Sequence, residues 1–487
     1  MLREAYRLID TPDQRLTVLT NGLTAILARN AAADVAAVRV YIRAGSIYEG
    51  RWAGTGISHL LEHVITGDGT ARHSEAELLS LGESLGGLVN AYTAVDHICH
   101  HVTVSPEHIP HAIEMFADYV TGPRLSQAVF ERERIVVLRE LEQDRDDPEA
   151  QLEEMLSGIL YRGHPLAYPV IGRREGVAAL TREDLLNYYR QTHVPDGVVV
   201  VIAGDLDPDA TARTILEAFK TWQWRPSPAI RGPALLPVLS RIRARRRMPV
   251  ASAAATIGWR TVREGTVDDA ALDLLGLVLG AGDDARLVKS LRWDRGLVHE
   301  VSASHDSTWH TPGTFQIDVR CDVARLETVE EAVLEEIERL EHAPITAAEL
   351  QRAKQRVRVD VLYPSETAEG LAAQLGEDFL ATGSVGYTEA YLASVRAAST
   401  DDLLRAARRH LRPDRFVSAA IVPESTRVLM SSAETRFAAT TDRSELNPAL
   451  VCLVRPMAWS SFVAVNVLWP GGLSAETEET NGVFNLM

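Results

Sequence analysis

Residues 59–63 read HLLEH, two histidines four apart with a glutamate before the second. At 3.6 residues per turn His59, Glu62 and His63 share one face of a helix, so two neutral imidazoles and a carboxylate can converge on one point. A zinc ion suits such a set. A catalytic zinc site takes a third protein ligand and an open position for water. The stretch VFERERIVVLRELEQD (129–144) holds candidates: Val129, Ile135, Val136, Leu138 and Leu141 give it helical periodicity, and Glu133 and Glu140 lie seven apart on one face. The order HxxEH inverts the commoner HExxH and belongs with the zinc-peptidase motifs.

Further phrases flank the motif: RAGSIYEG (43–50) before it, ELLSLGESLGGLVNAYT (77–93) after it, and HPLAYPVIG at 164–172. In these the chain resembles the inverted-motif zinc peptidases of the pitrilysin, insulinase and mitochondrial processing peptidase group. The resemblance is strong over about the first 205 residues, weaker to 430 and faint in the last 45. It implies a glutamate ligand 77 residues past the motif, and from His63 that count lands on Glu140. It further implies that His59, His63 and Glu140 bind Zn2+ and that Glu62 is the general base toward a water whose pKa zinc lowers toward ~7. Glu133 corresponds to an acid that helps hold the catalytic site. Asn90, in NAYT, corresponds to a residue that meets substrate backbone on an edge strand, where an extended peptide is seized by β-augmentation. In a phrase like LRxxxGLxY the family's second domain carries an Arg and, seven residues on, a Tyr that grip the substrate near the scissile carbonyl. Here SLRWDRGLVH supplies Arg292, but His299 replaces the tyrosine, so any hydrogen bond it gives an oxyanion follows pH near neutrality.

Strand-like runs (GLTAILA, VAAVRVYIRAG, HHVTVS, VVVVIAG) alternate with helix-like ones near 74–85, 108–120, 126–146 and 181–191, the rhythm of a mixed α/β layer fold. TREDLLNYYRQTHVPDGVVVVIAGD (181–205) is echoed by TDDLLRAARRHLRPDRFVSAAIVPE (400–424): an N-cap threonine, an acidic first turn, Leu-Leu, a proline eleven residues after Asp184 and after Asp402, then an apolar strand. A second domain is therefore expected as a degenerate copy of the first. A fainter echo links 462–487 to 35–61, with Gly472 beside Gly45, Glu476 beside Glu49 and Gly482 beside Gly56. There Asn485 stands where His59 does, which reads as the start of a third, inactive repeat in a fragment of a longer protein or one part of a split one. The Pro- and Arg-rich stretch 225–247 reads as a linker and a solvated edge strand.

The expected fold is α+β: two homologous domains, each a mainly antiparallel sheet backed by helices, facing each other across a cavity. The boundaries are 1–224 (catalytic), 225–247 (linker and edge strand), 248–432 (second domain) and 433–487 (third repeat). A chain of 487 residues is too long for one core. Its formal charge of −17 argues against nucleic acid or anionic membrane as partners and favours peptides, basic ones above all. Cys99, Cys321 and Cys452 are scattered outside any CxxC spacing, no run approaches the ~18 apolar residues that span a bilayer, and the N-terminus lacks an apolar leader core. Cytoplasmic residence is the simplest expectation. His97, His100 and His101 fall on a strand whose alternation separates neighbours, so packing is expected of them and not a second metal site. The reading is thus a zinc endopeptidase or oligopeptidase acting on extended peptides. One rival is a metal-bearing subunit that needs a partner chain, or a missing C-terminal half, to mature precursor or cofactor peptides; the other is a non-catalytic scaffold subunit, whose mark would be a broken motif.

Overall fold

The computed structural model describes residues 2–230, 235–424, 442–447 and 450–454. Residues 1–424 form one compact unit. Its first sheet contains β1 (Glu4–Asp10), β2 (Gln14–Leu19), β3 (Thr24–Arg29), β4 (Ala36–Ile42), β5 (Asn90–Thr93), β6 (Ile98–Val104) and β7 (Val198–Gly204), in the order β1-β2-β3-β7-β4-β6-β5. Its helices are α1 (Ile57–Thr66), α2 (Glu75–Ser84), α3 (Ile109–Thr121), α4 (Gln127–Asp146), α5 (Pro148–Leu160), α6 (Arg174–Ala179), α7 (Arg182–Thr192) and α8 (Pro208–Ala218).

The second sheet contains β8 (Ile242–Met248), β9 (Ala253–Arg260), β10 (Glu300–Asp306), β11 (Thr314–Cys321) and β12 (Val417–Pro423). Its helices are α9 (Asp269–Gly280), α10 (Leu326–Arg339), α11 (Ala347–Leu362), α12 (Ala368–Thr382), α13 (Tyr387–Ala397) and α14 (Thr400–His410). Read from its β8 edge the order is β8-β12-β9-β11-β10, position for position that of β3-β7-β4-β6-β5. Even the single parallel pair recurs, β3 with β7 and β8 with β12, among otherwise antiparallel neighbours. These are two homologous α+β domains, and the first adds a β1–β2 hairpin that the sequence reading did not anticipate.

The repeated phrase is α7–β7 in one domain and α14–β12 in the other. Each helix opens with a capping box, Thr181 with Asp184 and Ser399 with Asp402. The second cap is thus Ser399 and not Thr400, because a capping box needs its acid three residues on. The described parts of 222–241 carry no helix or strand, and β8 follows at the sheet edge with Arg245 paired to Glu327 at 3.0 Å.

Strands β4 and β7 are buried along their whole length, as a sheet covered on both faces requires. One face packs against α1, α3 and their neighbours around Val38, Leu61 and Phe116. The other is covered by α12 of the second domain, where Ala372 and Leu375 meet Tyr41, Val199 and Val201. The arrangement is reciprocal. From the first domain, α5 lays Leu152, Leu156 and Leu160 on Val417, Ala419 and Ile421 of β12. At each crossing a glycine admits the partner: a Cβ on Gly376 of α12 would overlap the Tyr41 ring, and one on Gly258 of β9 would meet Leu156 Cδ1 at 2.7 Å. A cavity of about 600 Å³ lies between the domains, lined by Val95 and Asp96 from one and Asp273 and Trp309 from the other.

Residues 425–487 form a separate unit, in which β13 (Asp442–Asn447) and β14 (Leu450–Val454) make an antiparallel hairpin. The echo of the metal helix at 462–487, Asn485 included, lies outside the described residues.

Candidate metal centre

Helix α1 buries Ile57, Leu60, Leu61, Val64 and Ile65, the i, i+3, i+4, i+7, i+8 stripe of a helix anchored along one side. His59 and His63 fall on the other side, each side chain 18% exposed, with ring centroids 4.6 Å apart. The helix starts at Gly56, whose φ of 66° is left-handed and where a Cβ would overlap the Ile171 carbonyl. Glu49 fixes this end by accepting from the Ser58 and Gly54 N–H groups, both at 3.2 Å. Burial raises its pKa to about 7.

Helix α4 crosses the histidine face of α1. It is anchored by Val129, Phe130 and Val137, whereas Ile135, counted in its apolar stripe from sequence, is 51% exposed. The seven-residue spacing brings both glutamates to α1. Glu140 Oε2 lies 3.9 Å from His59 Nε2 and 3.6 Å from His63 Nε2, and Glu133 Oε2 lies 3.5 Å from His63 Nδ1. Ligand atoms around a tetrahedral zinc, bonded at about 2.0–2.2 Å, stand roughly 3.3–3.5 Å apart, so small side-chain adjustments would seat the ion. One donor atom from each of His59, His63 and Glu140 lies within 4.8 Å of the other two.

The electrostatics fit a cation. Burial, reinforced by His63, pushes the His59 pKa down to about 4, leaving a neutral imidazole with a free lone pair at neutral pH. Its Nδ1 is buried and has no hydrogen-bond partner among the described residues. Glu62 is 8% exposed, and burial lifts it above the usual carboxylate range, opposed by the Thr93 hydroxyl that donates to its Oε2 at 2.8 Å.

The remaining sequence candidates lie elsewhere. Asn90 is exposed at the start of β5, an edge strand that among the described residues pairs with β6 alone. Arg292 lies in a π-helical segment, Val288–Asp294, stacks 4.7 Å from the Trp293 ring and lines a second cavity of about 560 Å³ between α5 and the second sheet. None of His59, Glu62, His63 or Glu140 lines that cavity. His299 is 58% exposed and faces Asp322 at 3.4 Å. His97 bonds Asp96, His100 is enclosed with Phe116 and Tyr119, and His101 faces Glu369, so the three do not share a site. The sequence reading missed Thr93 and Glu49, although both stand inside phrases it quoted, because a hydrogen bond to a buried carboxylate has no spacing signature.

Two like domains with an imidazole–imidazole–carboxylate cluster on one of them define a metallopeptidase scaffold, and the comparisons name its family. Residues 24–174 match Insulinase (Peptidase family M16), and residues 179–357 match the Peptidase M16 inactive domain. The chain belongs to this M16 family of zinc-dependent peptidases. It is 28% identical to an uncharacterized zinc protease of Mycobacterium tuberculosis over 418 residues, 85% of this chain and 94% of that one. It is 26% identical to the mitochondrial-processing peptidase subunit beta of Lentinula edodes over 432 residues, 84% and 90% of the two chains. A protease from Helicobacter pylori shares the fold with a TM-score of 0.77 at 21% identity, covering 85% of this chain and 100% of that one.

Proposed function

We propose that the chain is a zinc-dependent metallopeptidase that hydrolyses bonds of extended peptides, with His59, His63 and Glu140 as zinc ligands and Glu62 as general base. The convergence of these three ligands beside a buried carboxylate held by the edge strand supports this reading. Zinc, when bound, supplies a Lewis acid that polarises the scissile carbonyl and acidifies water. Around it, Glu62 takes the water's proton and delivers it to the leaving amine, with Thr93 fixing one oxygen so that the other stays free. Glu133 orients His63 through Nδ1. The open edge of β5, with Asn90, receives substrate backbone as an added strand. We propose that the catalytic domain spans 1–224, that a linker leads from it into β8, and that the second domain runs from β8 to the end of the first compact unit at residue 424; cytoplasmic residence fits the buried free thiols of Cys99 and Cys321. None of the described helices is long and apolar enough to cross a membrane.

One observation favours a second reading, in which this chain is the metal-bearing subunit of a heteromeric processing enzyme. Arg292 and His299 are not gathered at the metal cluster, and relatives are named as subunits of mitochondrial-processing peptidase. There another chain would supply the substrate-gripping pair. Zinc stoichiometry and peptide turnover of wild type and Glu62→Gln test the first reading: metal retained with turnover down about 10²–10⁴-fold supports it, and equal turnover refutes it. A solution mass measured on the active species separates the two, since a monomer active alone excludes the second.

A further inference from the structure

The second domain carries its own cluster of metal-ligating side chains, on the helix that duplicates α1. Helix α9 follows β9 and precedes the β10–β11 hairpin, as α1 follows β4 and precedes β5–β6. Where α1 has His59 and His63, α9 opens with Asp269 and Asp273, again four residues apart and on one face. His305 of β10 completes the group, with one donor atom from each residue within 4.8 Å of the other two. Its Nδ1 lies 2.7 Å from Asp273 Oδ1 and 4.0 Å from Asp269 Oδ1. The His305 side chain is wholly buried, and those of Asp269 and Asp273 are 3% and 22% exposed.

Each member is braced from behind. Thr261 Oγ1 engages His305 Nε2 at 2.9 Å, which leaves Nδ1 turned to the two carboxylates. Tyr391 donates to Asp273 Oδ2 at 2.6 Å and so aims Oδ1 at the imidazole, while the Gly265 N–H donates to Asp269 Oδ2 and Ser307 to Asp269 Oδ1. An outer layer of this kind is what orients metal ligands in proteins. The cavity of about 600 Å³ onto which the cluster opens is lined by seven carboxylates and three imidazoles. Buried carboxylates are normally paired with a cation or coordinate one, and none of the described residues lining this cavity is a lysine or arginine.

We propose that Asp269, Asp273 and His305 form a second divalent-cation site, taking Zn2+ or Mn2+ with water from the cavity filling the open positions. Two carboxylates and one imidazole suit these borderline ions, and the site would clamp α9 to β10 and, through Tyr391, to α13. It does not depend on the first site being occupied or catalytic. The test uses the full chain with His59→Ala and His63→Ala, stripped with chelator and titrated with Zn2+ by calorimetry and with Mn2+ by loss of the free-ion paramagnetic signal. One equivalent of either ion is expected, together with a raised thermal midpoint, and both should vanish on adding Asp273→Asn. His305→Gln, less disruptive to folding, should also abolish binding with an unchanged circular-dichroism spectrum. No binding of either ion to the double-alanine protein, or an equivalent that survives both further substitutions, overturns the proposal.

Discussion

Helices α1 and α9 occupy the same place in two sheets of the same strand order, yet what they face differs. The histidines of α1 meet Glu133 and Glu140 of α4 and lie beside β5, a four-residue strand with an open edge. The aspartates of α9 meet hydroxyl and imidazole groups inside a cavity, beside the seven-residue β10. The scaffold therefore fixes where a helical pair stands, and the elements packed against it decide the chemistry. In the first domain the four-residue edge strand β5 brings Thr93 against Glu62; in the second the corresponding cluster lines the cavity between the domains. The substitutions below probe that contrast.

The largest effect is expected at Glu140. Glu140→Gln removes the proposed anionic ligand that α4 brings to α1, so catalysis should lose several kcal/mol of charge stabilisation, a fall of about a thousandfold or more in kcat/KM, with zinc content falling alongside. Turnover near the wild-type level with full zinc would mean that some other residue closes the first site.

Acid should weaken the first domain through a pair that has nothing to do with metal. His100 and His193 are enclosed in its core, and among the described residues neither nitrogen of His100, nor Nε2 of His193, has a hydrogen-bond partner. Burial pushes their pKa values down to about 4 and about 3. Below pH ~6.5 the unfolded chain takes up protons that the folded chain refuses, so stability present above that pH is lost as pH falls toward 4, about 3 kcal/mol for His100 alone. Thermal midpoints from pH 8 to 4.5 should show that slope, and His100→Leu should reduce it, with His193 supplying the remainder, while leaving stability at pH 8 unchanged or higher. A slope unchanged by the substitution would rule out His100 as a source.

The reciprocal helix crossings allow a finer comparison. Gly376→Ala drives a methyl into Tyr41, a fully buried ring, at a cost of about 1–3 kcal/mol that the ~1 kcal/mol gain in helix propensity only partly offsets. Gly258→Ala meets Cδ1, Cδ2 and Cγ of Leu156, an aliphatic side chain with more torsional freedom than an aromatic ring, and should cost less. Urea midpoints would rank the two. The reverse order would show that the first domain's sheet yields to α12 more readily than the second domain's sheet yields to α5.

Much of this was legible in the sequence, for identifiable reasons. HLLEH and the glutamates seven apart obey helical geometry, which is local, so their positions on α1 and α4 follow from spacing. The duplication was visible at α7–β7 and α14–β12 because capping boxes and apolar strands leave compositional marks. The β1–β2 hairpin and α5 were not anticipated: β1 is largely exposed, with Tyr6 55% and Leu8 57% exposed, and α5 finds its partner surface in the other domain. For the same reason the pairing of Asp269 and Asp273 with His305 escaped notice. Helical spacing places the two aspartates together, but only tertiary structure brings a strand residue 32 positions from Asp273 against them.

The smallest effect expected is at Thr93, where the edge strand and the base meet. Its hydroxyl is the hydrogen bond that holds Glu62, and its backbone belongs to β5, the strand proposed to take up substrate. Thr93→Val keeps the shape and β propensity but removes the donor. A hydrogen bond to a charged group contributes about 1.5–3 kcal/mol, and Glu62 can partly re-form it with water, so a fall of roughly tenfold in kcat is expected with KM nearly unchanged. Thr93→Ser, which restores the donor, should recover most of the rate. Disruption of the strand itself would instead raise KM and resist rescue by serine, so the split between kcat and KM distinguishes a residue that orients the base from one that only shapes the edge.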